Sequence, residues 1–475
     1  MTPAIDNPPV RRPAREGIAA WVALALGLLP IFAGCGTVQQ AQEQFRHGEL
    51  ALAEASLAEI VQREGLGQPD SVLAHLEYGS VLHHTGKLDE STAVFMAAEQ
   101  RIGEIDRQAE LRLSDEAAGL LLNPSERRYI GTPYDRVMSP FYRGLNALLL
   151  GDTESPRQAF VAMAEAQDVA LEFRRKQIDE ALASGSDASS ARLDLDRSRD
   201  SREARRAFEA RYGPLDGYEP YGDYTVPVAD WLRAVYLIGA GQTAGDADRA
   251  RTILLNLAKT VPGNPHVLDD SAMADEVVRG TPPPPTTYVL FATGVAPSRE
   301  TFRVDLPLFL VNDEVDYAGV AFPYLEFHGR YVRRLRVVGD EASVKTAVIT
   351  DMDRIVAADF DAELPAIIAR ALLSAATKTA AAWAINEGSG DHVAANILTF
   401  AYQVWQNQAD ERTWATLPKQ FQYARIPTPA SGVVRVSAAD ELDVAVDVEA
   451  GRMNLIYVRS VMSGSPATVY HTVLD

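Results

Sequence analysis

Four consecutive prolines, Pro282 to Pro285, constrain this chain more than any other feature. Each fixes φ near −65° and lacks a backbone N–H, so the run excludes both helix and central strand and favours a stiff polyproline II stretch. Apolar residues recur with a helical period before it and with a period of two after it, which marks a change of secondary structure at the prolines. The 475 residues are enough for more than one hydrophobic core. The expected architecture is multidomain, with an α-helical region up to residue 280, a Pro-rich linker at 281–285 and an α+β domain from 286 to 475.

The helical region carries a repeated phrase: a turn glycine, a small residue five positions on and a large apolar residue nine positions on. The clearest copy contains Gly79, Leu82, Gly86, Ser91, Phe95 and Ala98. It matches the spacing of tetratricopeptide (TPR) repeats, in which a small residue such as Gly79 lets two helices approach and Phe95 fills the groove between them. Other copies contain Gly48, Ala53 and Leu57, then Gly144, Gly151 and Phe160, then Gly245, Ala250 and Leu254. The turn glycines at 48, 86, 151 and 245 are unevenly spaced, which predicts a bundle with TPR-like pairs in place of a regular superhelix. A charged stretch from Phe160 to Arg211, broken at Ser184 to Asp187, reads as a helical hairpin. Tyr218, Tyr221 and Tyr224 lie in an ordered loop as core-filling residues.

Beyond the prolines, Thr287–Thr293, Phe302–Leu310, Tyr317–Phe327, Val332–Val338 and Val344–Thr350 read as strands. Asp359–Asn386 and His392–Gln408 read as helices, and Arg370 and Lys378 argue against a transmembrane role for the first. Short strands then return near Gln422–Ile426, Val433–Ser437, Leu442–Val448 and Met453–Val461.

The chain has one cysteine, so no internal disulfide and no paired-cysteine zinc site is possible. Arg11, Arg12 and Arg15 precede an uncharged apolar stretch from Ile18 to Ala33, which ends in Phe32-Ala33-Gly34-Cys35. At 16 residues that stretch is shorter than the roughly 20 needed to span a bilayer as a helix, and Pro30 interrupts it. The order of basic, apolar and small residues is that of an export signal. With cysteine at its end it resembles the lipobox of bacterial lipoproteins, Phe32 standing where that motif most often has Leu. The resemblance implies removal of residues 1–34 as a signal peptide and lipidation of Cys35, leaving no transmembrane span in the mature chain. Gly36 after the cysteine, where Asp would favour inner-membrane retention, points to the outer membrane. Two or three acyl chains hold a protein at a bilayer far more firmly than one.

A formal charge of −20 repels phosphate backbones, so nucleic acid is not an expected partner; Arg174-Arg175-Lys176 and Arg333-Arg334 read as solvated faces. No nucleophile elbow, phosphate loop, His-Glu-x-x-His helix or dinucleotide loop is present. The sequence therefore offers no catalytic set, no cofactor and no metal site. His83 and His84 are adjacent, about 100° apart on a helix, and fit packing or exposure better than metal binding. Asp351 and Asp353 are a weak metal pair at most.

The repeat from Gly79 to Phe95, the segment Gly144 to Asp152, the segment Asp305 to Leu308, and Arg412-Thr413-Trp414-Ala415-Thr416-Leu417-Pro418 together resemble a family of uncharacterised bacterial envelope lipoproteins. That family combines a lipobox, TPR-like helices and a β-rich C-terminal domain, and its members are often encoded near lipoproteins that activate cell-wall synthases. The resemblance implies a lipid-anchored protein of the cell envelope, facing the periplasm, whose helical repeats bind an envelope protein or peptide as a scaffold. The alternative is a ligand-binding or enzymatic α+β domain with a TPR-like partner module. Cys35→Ser should leave the protein unlipidated and move it from the membrane to the soluble fraction; mass measurement of the mature product checks both.

Overall fold

A computed structural model describes residues 37–64, 68–111, 128–152, 154–169, 172, 202–222, 225–309, 315–388, 409–439 and 441–474. The signal segment, Cys35, the break at Ser184 to Asp187, Tyr224 and the helix expected at His392–Gln408 lie outside them.

The first part of the chain is helical: α1 (Val38–Arg46), α2 (Leu50–Glu64), α3 (Ser71–His84), α4 (Leu88–Leu111), α5 (Pro133–Leu149), α6 (155–169), α7 (Arg202–Tyr212), α8 (Pro227–Gly239), α9 (Ala244–Thr260) and α10 (Pro265–Val278). Four of these helices end the same way. Gly48, Gly86, Gly151 and Gly280 have φ of 78°, 86°, 74° and 94°, and in each case the glycine N–H bonds the carbonyl three residues back while the next N–H bonds the one five back. This double bond satisfies the last helical carbonyls and needs a left-handed residue, which glycine adopts without strain. Gly245, expected as a turn glycine, instead lies in the first turn of α9. The correction comes from Thr243 and Asp246, which form a reciprocal capping box and start the helix ahead of the glycine.

The helix pairs meet through small residues. A Cβ built on Gly79 would lie 2.7 Å from the Phe95 ring, and one on Gly144 would overlap the ring of Phe160. Leu82, Ala250 and Leu254 are fully buried.

After the prolines come β1 (Thr286–Thr293), β2 (Ser298–Phe309), β3 (Val315–Glu326), β4 (Arg336–Val338), β5 (Ser343–Lys345), β6 (Ala347–Asp351), α11 (Met352–Gly388), β7 (Gln420–Pro427), β8 (Val433–Ala438), β9 (Leu442–Asp447), β10 (Asn454–Ser460) and β11 (Thr468–Val473). A five-stranded sheet runs β11-β10-β1-β7-β6 and a four-stranded sheet β5-β4-β8-β9, while among the described residues β2 and β3 pair only with each other. β1 is parallel to β10 and antiparallel to β7.

All eight residues of β1 are buried, because both of its faces are covered. Tyr288, Leu290 and Ala292 join Phe421, Tyr423, Leu455 and Tyr457 in a core shared with the helices. Val289 and Phe291 point the other way, with Ala424, Ile426, Ile456 and Val458, onto Val337, Val434, Val436 and Val446 of the second sheet. The molecule is thus layered as helices, sheet, sheet. The first of these cores runs from Val38 to Leu474 and does not stop at the prolines.

Several expected elements move. Of Val332–Val338 only Arg336–Val338 is strand, and Val344–Thr350 is divided at Thr346, whose N–H bonds the Leu335 carbonyl and whose Oγ1 bonds Gln422. The helix expected from Asp359 starts at Met352, where the Asp351 side chain accepts from the Asp353 N–H at 3.0 Å. β11 had no counterpart in the sequence reading. Tyr221 is buried and Tyr218 stacks on Phe327 at 4.8 Å.

Gly79→Ala should destabilise the protein by about 1–3 kcal/mol through overpacking, despite the better helix propensity of alanine. Denaturant midpoints check this, and Phe95→Leu combined with Gly79→Ala should recover part of the loss.

Candidate functional site

One face of α3 carries Glu77, Ser80, His83 and His84 at helical spacing, so all four can look the same way. Glu77 and Ser80 meet the segment Arg412 to Pro418, while His83 and His84 meet β10 and β11. The Glu77 carboxylate is fully buried and accepts from Gln42 Nε2 at 2.6 Å, Ala415 N at 2.7 Å, Thr416 N at 3.2 Å and the Thr416 hydroxyl. Gln42 also donates to the Thr413 carbonyl at 2.8 Å. Trp414 is fully buried beside Phe95 and Tyr142, ring centroids at 5.7 and 6.0 Å, and its Nε1 donates to Ser80 Oγ at 2.8 Å. Arg412 pairs with Asp410 and, at 3.1 Å, with Asp70. The inner face of the first helical pairs therefore holds this segment by the backbone N–H groups of a turn at Ala415 and Thr416 and by one aromatic anchor, and the segment is the protein's own. Burial pushes Glu77 up to about 7 against the pull of its four donors.

A second lock between helices and sheet is Asp270 on α10. Its buried carboxylate accepts from Tyr423 at 2.8 Å, Tyr288 at 3.2 Å and Trp231 Nε1 at 3.3 Å, and Arg425 lies 3.2 Å away. Burial raises its pKa, and Arg425 opposes the rise.

The third polar cluster is half-buried and sits at the start of β2, just beyond the carboxyl end of β1. Ser298 Oγ lies 3.3 Å from His328 Nε2 and 3.4 Å from Glu300 Oε1, and Arg46 Nη1 lies 3.1 Å from the same His328 nitrogen. An arginine can only donate, so His328 Nε2 accepts and the proton sits on Nδ1. Burial, with Arg46 and Lys419 nearby, holds His328 down at about 4. A serine beside a histidine is the start of a nucleophile site, but here Arg46 occupies the basic nitrogen and weakens it as a base. The cluster chiefly ties α1 to β2 and to the exit of β3.

Asp353 forms a buried ion pair with Lys419, and Asp351 accepts from Gln420 at 2.9 Å. Among the described residues no three His, Cys, Asp or Glu form a set able to hold a metal ion. His83 and His84 are both buried. Sequence reasoning singled out Arg412 to Pro418 through the family resemblance, without its partner. It missed Glu77 and Asp270, for which the available signal was a lone acid inside an apolar helical face. Arg333 and Arg334 are exposed, and no described helix is long and apolar enough to cross a membrane. No family model, curated protein or solved structure matches the chain.

Glu77→Ala should cost about 3 kcal/mol or more, since it leaves several buried donors unpaired. The pH dependence has a definite sign. A carboxyl raised from 4.5 to about 7 contributes stability that is present below 4.5 and lost as pH rises through 7. The stability difference between wild type and the non-titrating Glu77→Gln should therefore fall by about 3 kcal/mol from pH 4.5 to 7 and then level off, as read by urea titrations at each pH.

Proposed function

We propose that this is a lipid-anchored lipoprotein of the bacterial outer membrane, facing the periplasm, which acts as a protein-interaction scaffold in cell-envelope assembly. Anchoring rests on Cys35 and the residues before it. The close approach of helices at Gly79 with Phe95 and at Gly144 with Phe160 supports reading them as a TPR-like repeat region.

One observation directs where a partner binds: the inner face of α3 already holds residues 412–418. A partner must use another surface, and the β2/β3 ladder is the one we assign to it. The ladder pairs twelve residues on each strand, from Ser298 with Glu326 to Phe309 with Val315. Among the described residues it joins neither sheet, and strand addition alongside such a ladder is a recurrent mode of peptide recognition. One face is backed by α7 and α11 through Ala204, Phe322 and Leu372, while Arg303 and Asp305 are exposed. An envelope protein that adds a strand to this ladder fits the geometry.

The contact of Ser298 with His328 favours a second reading, a ligand-binding or enzymatic α+β part, but the position of Arg46 weighs against it.

Photo-crosslinking residues placed at Arg303 and Asp305 should trap a discrete protein adduct in intact envelopes, whereas one at Leu52, exposed on α2, should not. Adducts only from Leu52 would move the partner to the helices. Repeated failure at all three positions would overturn the scaffold reading.

A further inference from the structure

The helical layer meets the five-stranded sheet at two polar joints of very different quality. At the Asp270 joint a buried charge has a counter-ion and three hydrogen-bond donors. At the other, the carboxyl end of α3 lies against β10 and β11, and the polar groups are poorly satisfied. Arg459 on β10 is buried, and its guanidinium donates to carbonyls of Ala292, Ser460 and Thr416 at 3.4, 2.8 and 3.4 Å. Among the described residues no carboxylate pairs with it.

His83 and His84 pack beside that cation. Asn146 donates its amide to Ser91 and Thr92, so its oxygen faces His83 Nδ1 at 2.5 Å and must accept from it. That fixes the neutral tautomer with a lone pair on Nε2. Among the described residues His83 Nε2, His84 Nδ1 and the Tyr457 hydroxyl have no hydrogen-bond partner, and their accessible surface is almost nil. Around the two rings, α1 contributes Phe45, α5 Tyr142 and Asn146, β10 Tyr457 and Arg459, and β11 Tyr470. The charged group acting on both histidines is Arg459.

We propose that this contact is an acid-sensitive joint, at which protonation of His83 and His84 beside the Arg459 guanidinium parts the carboxyl end of α3 from the β10–β11 hairpin while the Asp270 joint holds. A second and third positive charge in a closed pocket without an anion is strongly unfavourable, and opening hydrates all three. Opening also uncovers the inner face of α3.

Burial and Arg459 hold His83 at about 4 and His84 at about 3, against 6.5 in the open chain. The stabilisation from the neutral rings is thus complete above 6.5 and is lost as pH falls towards 4. Each histidine favours opening about tenfold per pH unit in that window, while Glu77 on the same helix opposes it by about tenfold, leaving a net of about tenfold per unit.

Hydrogen exchange of the full chain, corrected for intrinsic rate, tests this between pH 6.5 and 4.5. Residues 71–84 and 454–473 should lose protection by about a hundredfold, while 265–278 and 420–427 keep theirs. In His83→Gln/His84→Phe the trend at α3 should reverse, because Glu77 alone then titrates. Loss of protection in all four segments together, or no loss in α3, would overturn the proposal. If the double variant does not fold, residue-assigned imidazole titration in the wild type decides: His83 and His84 titrating near 6.5 would overturn it as well.

Discussion

The molecule is organised by a sheet that is apolar on both faces. Strand side chains alternate, so a strand buried on both sides must be covered by two separate layers. In β1, Tyr288 and Leu290 require one cover and Val289 and Phe291 another. The helices supply the first and the β5-β4-β8-β9 sheet the second. Removing the helical layer would expose the side chains of β1, β7 and β10 that face it, which is why helices and sheet share one core despite four prolines between them in sequence.

Polar groups then decide how the helical layer is seated. Apolar contact is non-directional and by itself tolerates sliding. Glu77 and Asp270 are directional, and each draws on partners far away in the chain: Ala415 and Thr416 for the first, Tyr288 and Tyr423 for the second. Because a buried carboxylate without its donors is costly, each fixes one register of helix against sheet. The two differ in completeness. Asp270 has Arg425 as counter-ion, whereas the α3 contact combines a carboxyl raised by burial with histidines lowered by it. The same interface is therefore rigid at one end and responsive to protons at the other.

The use of the helical groove follows from this arrangement. The inner face of the first helices receives Arg412 to Pro418 through contacts a bound peptide would make: backbone N–H groups on a carboxylate and a tryptophan beside aromatic rings. The helices hold the β-rich part of the chain, and among the described residues the β2/β3 ladder belongs to neither sheet.

Local chemistry made much of this legible from sequence. Left-handed turn glycines, the small residue opposite Phe95 and the alternation in β1 act over a few residues, so the helical hairpins and most strands could be read directly, as could a basic, apolar, small-residue order ending at Cys35. Errors arose where a neighbour in sequence competed, as when the capping box at Thr243 started α9 ahead of Gly245. What sequence could not supply was which distant groups meet. The fit of Trp414 against α3, the convergence of Trp231, Tyr288 and Tyr423 on Asp270 and the continuity of the core across Pro282 to Pro285 all depend on contacts between segments far apart in the chain. Such contacts form only once both faces of the central sheet have been covered, and no local period or spacing encodes them.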